Sequence, residues 1–172
     1  MTQPAAPILL CYDGSPDAAD AIRAAAPQFA AREAVVVVFW QPFAQVAKRF
    51  AISLLEVVQQ AASVNEREGQ LAQQLADEGA AIANEAGFAA EGRAIEVSLP
   101  IDEAIIEYAE EIDAPMIVLG SRGRSGISSM LLGDVANDVA QRSTRMVLLV
   151  PSPRLSGRRR EELAAGTHAA QH

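Results

Sequence analysis

Short apolar runs alternate with longer amphipathic segments along most of this chain. The apolar runs are too short for helices, and they end at glycine, proline or polar positions, as strands do. They predict five strands, at residues 8–12, 35–40, 94–98, 116–119 and 146–150. The connections between them are long enough for helical crossovers, so the strands are expected to run parallel.

The segments between the strands carry apolar residues at helical spacing. After the first strand, Ser15 can cap a helix that Pro16 begins, and Pro27 is expected to end or kink that helix. This alternation of strands and helices predicts a single open parallel sheet with helices on both faces, which is a Rossmann-like α/β fold.

The later helices differ in how clearly they are marked. Residues 43–86 have a loose pattern, from which we predict a variable segment and then a helix over 64–86 that stops at Gly87. Pro100 starts the most regular amphipathic helix, and a last helix is predicted over 135–142. The weak strand at 94–98 is expected to lie at an edge of the sheet.

The strand order determines where a ligand would bind. In a doubly wound sheet of order 3-2-1-4-5, the first and fourth strands are neighbours, and ligands bind beyond their carboxyl ends. The residues at those two ends are Asp13, Gly14 and Ser15, and Gly120, Ser121 and Arg122. The sequence therefore predicts a crevice between the first and fourth strands.

A glycine-bearing loop begins at the second of these ends. Its glycines are Gly120, Gly123, Gly126 and Gly133, and it leads into the helix over 135–142. Glycine allows the backbone to approach a ligand closely, and amides at a helix N-terminus favour an anion. The loop therefore indicates a phosphate site.

Composition and charge limit the partners. The chain has 172 residues and a formal net charge of -8, which argues against nucleic acid because such binding depends on neutralising phosphates with Lys and Arg. No apolar run approaches the roughly 18 residues of a membrane span, and the first residues do not resemble a secretory leader. We therefore expect no membrane contact and a cytoplasmic location. The single cysteine, Cys11, is expected to be a buried side chain rather than a catalytic thiol.

Two charged segments are expected to be solvated rather than functional. The helix that starts at Pro100 has an acidic outer face, formed by Glu103, Glu107, Glu110 and Glu111. Metal ligands would have to converge on one point, so this face does not indicate a metal site. Residues 154–172 are expected to form a disordered tail after a domain that spans 1–153, and both histidines, His168 and His172, lie in that tail.

Two stretches resemble the universal stress protein family. The opening ILLCYDGSPDAADAI is similar to the start of these proteins, and PMIVLGSRGRSGISSMLLGDVANDVAQRSTRMVLLVPSP is similar to their closing segment. The resemblance covers most of residues 7–153 and is weakest over 43–86. The family's nucleotide signature has two residues between a first pair of glycines, then nine residues, then Gly followed by Ser or Thr. Gly120, Gly123 and Gly133 keep this spacing.

The resemblance implies an adenine nucleotide as the ligand. In ATP-binding members, the adenosine would lie near Asp13 and the backbone at Trp40, and the phosphates would lie over the glycine loop. The implied ligand is ATP or another adenine nucleotide, and Mg²⁺ could accompany it. The implied binding residues are Asp13, Gly14, Ser15, Trp40, Gly120, Ser121, Arg122, Gly123, Arg124, Gly133, Asp134 and Val135.

The resemblance also implies a homodimer. Members of the family commonly dimerise through their last strand, and an apolar strand at a sheet edge has a physical reason to find a partner. The implied interface residues are Met146, Val147, Leu148, Leu149 and Val150.

One residue departs from the family pattern. Asp134 stands where the signature has Ser or Thr, and an ionised carboxylate accepts hydrogen bonds but repels phosphate. At an effective dielectric near 20, a like-charge pair about 4 Å apart costs roughly 4 kcal/mol. A helix N-terminus offers an anion only about 0.3 to 1 kcal/mol, rising to about 2. The repulsion is therefore expected to dominate locally.

Three consequences of Asp134 remain open from the sequence. As one of the best N-cap residues, it could cap its own helix and occupy the anion site from within. Alternatively, Arg122 and Arg124 could neutralise a phosphate, or a Mg²⁺ ion could be bridged between Asp134 and phosphate oxygens.

The sequence therefore leaves two main functions. The first is a dimeric sensor or adaptor of the stress response that binds an adenine nucleotide, with at most slow ATP hydrolysis. The second is a nucleotide-free dimerisation or protein-interaction module in which Asp134 caps its helix and blocks the phosphate site. A third, an adenylate-forming or hydrolytic enzyme on a related nucleotide-binding fold, would need a nucleophile, base or metal cluster, and only Asp13 and Asp134 are candidates for it.

Overall fold

Five parallel strands form one sheet in the part of the chain that the computed structural model describes, which comprises residues 6–29, 32–42, 54–121, 133–151 and 157. The strands are β1 (Ile8–Cys11), β2 (Glu33–Trp40), β3 (Ala89–Glu96), β4 (Met116–Gly120) and β5 (Met146–Val150). Their order is β3-β2-β1-β4-β5, and every neighbouring pair is parallel. The predicted doubly wound sheet of order 3-2-1-4-5 is confirmed.

The helices of the described residues cover both faces of this sheet. They are α1 (Pro16–Phe29), α2 (Leu54–Ala86), α3 (Ile101–Glu111) and α4 (Asp134–Arg142). α1 and α2 pack on the face that carries Leu10 and Val36, whereas α3 and α4 pack on the face that carries Leu9 and Val37. The central strands are buried on both faces, which explains their continuous apolar runs. Among the described helices, none combines the length and the apolar character needed to cross a bilayer.

The structure bears out the predicted ends of two helices. Ser15 caps α1, because its Oγ accepts the N–H of Ala18 at 3.1 Å, and Pro16 is the first helical residue. α2 ends at Ala86, and the following Gly87 has a φ of 108°, a conformation that favours glycine.

Other boundaries differ from the prediction. α1 continues past Pro27 to Phe29, so this proline does not end the helix; it lies in the last turn, where few helical hydrogen bonds follow it. α2 begins at Leu54 rather than at residue 64. β3 begins at Ala89 and ends at Glu96, rather than spanning 94–98. Alanine and glycine have low strand propensity, but β3 pairs with β2 from Ala89 to Glu96, and this pairing overrides the propensity.

Side chains of α2 cover the outer edge of β3. Asn84 donates from Nδ2 to the carbonyl oxygen of Ala90 at 2.9 Å and accepts the Ala90 N–H on Oδ1 at 2.8 Å. Gln73 donates to the carbonyl oxygen of Gly92 at 3.1 Å and accepts the N–H of Ala94 at 3.1 Å. These two side-chain amides make the contacts that a further strand would make, and so they protect the edge.

Glycine allows α2 to come this close to the strand. A Cβ on Gly92 would lie 2.5 Å from the carbonyl oxygen of Ala76, which is a backbone atom of α2. A side chain at this position would therefore push α2 away from β3 and lengthen the contacts that Gln73 and Asn84 make with the edge.

The double substitution Gln73→Ala with Asn84→Ala is expected to destabilise the protein and to promote self-association. The loss should be roughly 1 to 3 kcal/mol, since a hydrogen bond contributes about 0.5 to 1.5 kcal/mol net and exposed groups can bond to water instead. Urea unfolding measures the stability, and sedimentation velocity measures the association. Gln74→Ala, at the exposed neighbouring position of α2, is the matched control. Equal behaviour of the double variant and this control would contradict the protective role of the two amides.

Candidate functional site

A cavity of about 410 Å³ opens at the carboxyl ends of β1 and β4. Its apolar walls come from β2, β4, α2 and α3, and they consist of Val38, Phe39, Leu75, Ile101, Ile105 and Leu119. Its rim comes from the segment after β1 and from the start of α4. Asp13, Gly120, Gly133, Asp134 and Val135, which the sequence predicted for a ligand site, all line this cavity.

A tight turn after β1 positions Asp13 at the rim. The carboxylate of Asp13 accepts the backbone N–H of Ser15 at 3.0 Å, and Gly14 between them has a φ of 79°. Gly14 also faces α2, because a Cβ on it would lie 3.1 Å from a methyl group of Leu75. Ser15 is buried and caps α1, so its hydroxyl has a structural role in this turn.

The ends of the glycine loop are joined through the backbone of Ser121. Its N–H donates to the carbonyl oxygen of Val150 at 2.9 Å, and its own carbonyl oxygen accepts the N–H of Gly133 at 2.9 Å. Ser121 is only 6% exposed, and its Oγ has no hydrogen-bond partner among the residues that the structure describes. Arg122, Gly123 and Arg124, which the sequence also predicted for this site, lie outside the described residues.

Gly120 lets the end of β4 approach α1 closely. A Cβ on this glycine would lie 3.0 Å from the backbone carbon and oxygen of Asp17, in the first turn of α1. The glycine is therefore required by packing between a strand and a helix, in addition to any role in contacting a ligand.

The start of α4 differs from the prediction. The N-cap residue is Gly133, with extended backbone, and no side chain caps the helix. Asp134 is exposed and is already the first residue of α4. The prediction that Asp134 caps its own helix is therefore wrong, because a capping side chain must come from the residue before the first helical one. Its negative charge at the positive end of the helix remains favourable.

The structure places Trp40 away from the lining of the cavity. Its ring packs against α2, where its Cζ2 atom lies 3.1 Å from the position of a Cβ on Gly69. Phe39, the preceding residue of β2, lines the cavity instead. Ile101 and Ile105, which the sequence did not suggest as site residues, also line it. The start of α3 was the signal that could have identified them, because every helix that follows a strand begins at this same edge of the sheet.

Tyr12 connects the cavity to α2. Its hydroxyl donates to Glu78 Oε1 at 2.9 Å, and its ring packs on Gly79, where a Cβ would lie 2.7 Å from the ring. Burial, together with the carboxylate of Glu78, raises the pKa of Tyr12 to about 12. The phenol therefore stays protonated and acts as a structural anchor.

Cys11, the last residue of β1, also lines the cavity. Burial, reinforced by the charge of Asp13, raises the pKa of Cys11 far above the ordinary range of a thiol. Since the thiolate is the nucleophilic form, this side chain is unsuited to nucleophilic catalysis near neutral pH.

Two arginines attach α3 to the segment that contains α4 and β5. Arg142 contacts Asp102 at 2.7 Å and Glu103 at 3.1 Å, in the first turn of α3. Arg145 contacts Glu110 and Asp113 at the other end of that helix. Hydrogen bonds from Arg145 and Thr144 lower the pKa of Glu110 to about 2. Part of the acidic face of α3 is thus used in ion pairs.

This chain is similar to known proteins in sequence and in fold. Universal stress protein YxiE of Bacillus subtilis is 48% identical over 46 residues, which cover 27% of this chain and only 31% of that protein. The solved structure of hypothetical protein MJ0577 has a TM-score of 0.63 and 22% identity over 87% of this chain and 98% of its own, a similarity that concerns the fold.

Two further solved structures contain nucleotides. A universal stress protein in complex with cAMP has a TM-score of 0.53 and 26% identity over 84% of this chain and 95% of its own. The universal stress protein from Archaeoglobus fulgidus in complex with dAMP has a TM-score of 0.53 and 20% identity, over 86% of this chain and 98% of its own.

The model of the Universal stress protein family matches residues 5–151, which include every strand of the sheet and the whole rim of the cavity. The chain therefore belongs to the universal stress protein family.

Proposed function

We propose that this chain is a cytoplasmic, dimeric sensor or adaptor of the stress response that binds an adenine nucleotide in the cavity between the ends of β1 and β4. The observation that carries the proposal is the position of this cavity. It lies at the point of the sheet where the crossovers change direction, and the N-terminus of α4 forms part of its rim. This is where open α/β sheets bind ligands.

The chemistry of the cavity suits a nucleotide. Its volume of about 410 Å³ falls within the range of small-molecule sites, which is about 300 to 1,000 Å³. Phe39, Leu75 and Ile105 offer apolar surface to a base, and the backbone at Gly133 lies at the polar end. Two similar proteins of known structure contain cAMP and dAMP, which supports an adenine compound.

Binding without efficient turnover is the activity that the lining favours. Cys11 is held protonated, and the phenol of Tyr12 is committed to Glu78. Asp13 is fixed by the amide of Ser15. If Mg²⁺ accompanied a bound nucleotide, Asp134 would be a suitable oxygen ligand on the rim, and the metal would neutralise phosphate charge. Hydrolysis of ATP, if it occurs, is expected to be slow.

Small molecules released from freshly purified, denatured protein should include an adenine compound in mass spectrometry. Calorimetric titration with adenosine, AMP, cAMP and ATP should then give saturable binding of at least one of them. Val135→Trp, on the cavity rim, should weaken that binding about tenfold by filling space. Ala140→Trp, at an exposed position of the same helix outside the lining, is the matched control.

Absence of any adenine compound, together with no binding at millimolar ligand, would contradict nucleotide binding. That result would favour a nucleotide-free dimerisation or protein-interaction module. The structure removes the capping contact of Asp134 from that alternative, because Gly133 is the N-cap residue of α4.

The two edges of the sheet differ in a way that supports a dimer. The edge of β3 is covered by Gln73 and Asn84, whereas no comparable side-chain bonds to the outer edge of β5 occur among the described residues. Met146, the first residue of β5, is 62% exposed. Two copies related by a twofold axis could pair their β5 strands and cover this edge.

Met146→Glu is expected to weaken a dimer about tenfold, because each copy would bring an added negative charge to an apolar contact in a chain of net charge -8. Sedimentation velocity over a range of concentrations measures the dissociation constant. Ala140→Glu adds the same charge at an exposed position of α4 and should leave the constant nearly unchanged. A wild-type protein that stays at the monomer mass of 18.2 kDa at every concentration would contradict dimerisation.

A further inference from the structure

We infer that, in the absence of a divalent metal ion, Asp134 makes this cavity select adenine compounds of low phosphate charge over nucleoside triphosphates. The inference rests on the proposed function, because it specifies the charge class of the ligand in the same site. It concerns a residue that departs from the family's nucleotide signature, and it follows from the geometry at the start of α4.

The position of Asp134 determines which part of a ligand would lie near it. It lies on the rim beside Gly133, at the end of the cavity where the backbone amides at the start of α4 would face a phosphate. A ligand that places its phosphate chain there brings negative charge close to this carboxylate. Among the described residues that line the cavity, the charged side chains are Asp13 and Asp134, and both are acidic.

Within the described ranges of the chain, no side chain compensates the charge of Asp134. The start of α4 has no side-chain cap, and no hydrogen bond or ion pair joins the Asp134 carboxylate to another described residue. By contrast, Asp13 accepts the amide of Ser15. Asp134 therefore lies at the rim without a partner among the described residues.

The charge of Asp134 opposes the attraction that the helix offers to an anion. The N-terminus of an α-helix is equivalent to roughly half a positive charge. This is less than the charge of one carboxylate, so the described residues at the start of α4 have a negative balance of charge. α4 is also a short helix of 9 residues, and its second carboxylate, Asp138, lies one turn further along.

The rest of the cavity favours the uncharged part of the ligand. Leu75, Ile101 and Ile105 give apolar walls that can enclose a base. The base should therefore contribute favourable binding in every adenine compound, while each added phosphate charge opposes it. Adenosine is neutral, cAMP has a single phosphodiester charge, a terminal phosphate carries about 1.5 to 2 charges, and a triphosphate carries more.

Titration calorimetry of the wild-type protein in EDTA gives the first test, with adenosine, cAMP, AMP and ATP as probes. Affinity is expected to fall in that order, with ATP about tenfold weaker than adenosine. Raising KCl from about 0.05 to 0.5 M should strengthen ATP binding, because salt screens repulsion. Weaker ATP binding at high salt would show that attraction dominates, and it would overturn the inference.

Asp134→Asn removes the charge with little change in shape and gives the second test. It should strengthen ATP binding about tenfold and change adenosine binding by less than about twofold. Asp138→Asn removes the same charge one turn along the same helix, outside the cavity lining, and should leave the ratio of the two affinities within about twofold of wild type. The salt series on the unmodified protein tests the inference without any variant.

Three outcomes would contradict the inference in different ways. Equal gains for adenosine and ATP in Asp134→Asn would indicate a steric effect. If adenosine bound and no ranking by charge appeared, only the inference would fail, whereas absence of binding by every probe to both proteins would remove the proposed function as well.

Discussion

The parallel pairing of β1 with β4 is the contact on which the rest of this structure depends. β1, β2 and β3 are laid down outward from the middle of the sheet, and the chain then returns so that Leu9 and Leu10 pair with Ile117 and Val118. The crossovers on either side of this pair lie on opposite faces, with α1 and α2 on one and α3 and α4 on the other. The helices therefore diverge at the carboxyl ends of β1 and β4, and the cavity lies in the space between them.

Much of this arrangement could be predicted from the sequence, because the strands that build the centre are continuous apolar runs. The edge was harder to predict. Apart from Ile95, β3 consists of alanine, glycine and charged residues, and it is a strand because β2 and α2 contact it on its two sides. At the site, the glycines and Asp13 were evident from the sequence, but Leu75 and Ile105 were not, since their place in the cavity depends on how α2 and α3 pack. The role of Asp134 could not be predicted, because it depends on the exact start of α4. The helix starts at Asp134, one residue earlier than predicted, so Gly133 takes the N-cap position.

Residues between Ser121 and Arg145 connect several elements of the fold. Ser121 joins the end of β5 to the residue before α4, while Arg142 and Arg145 attach the same segment to α3. Both ends of the glycine loop are thus anchored by backbone bonds to ordered strands and helices. These backbone bonds hold the rim of the cavity at Gly120 and Gly133.

Two residues of α2 that lie two positions apart contact different parts of the structure. Gln73 bonds to the edge of β3, and Leu75 forms part of the wall of the cavity. Any ligand that packs on Leu75 and favours the docked position of this helix must, by thermodynamic linkage, also favour the state in which the edge is covered. A bound ligand would then reduce intermolecular strand pairing at the edge of β3. The unliganded protein would be more prone to aggregate through that edge, which is remote from the ligand.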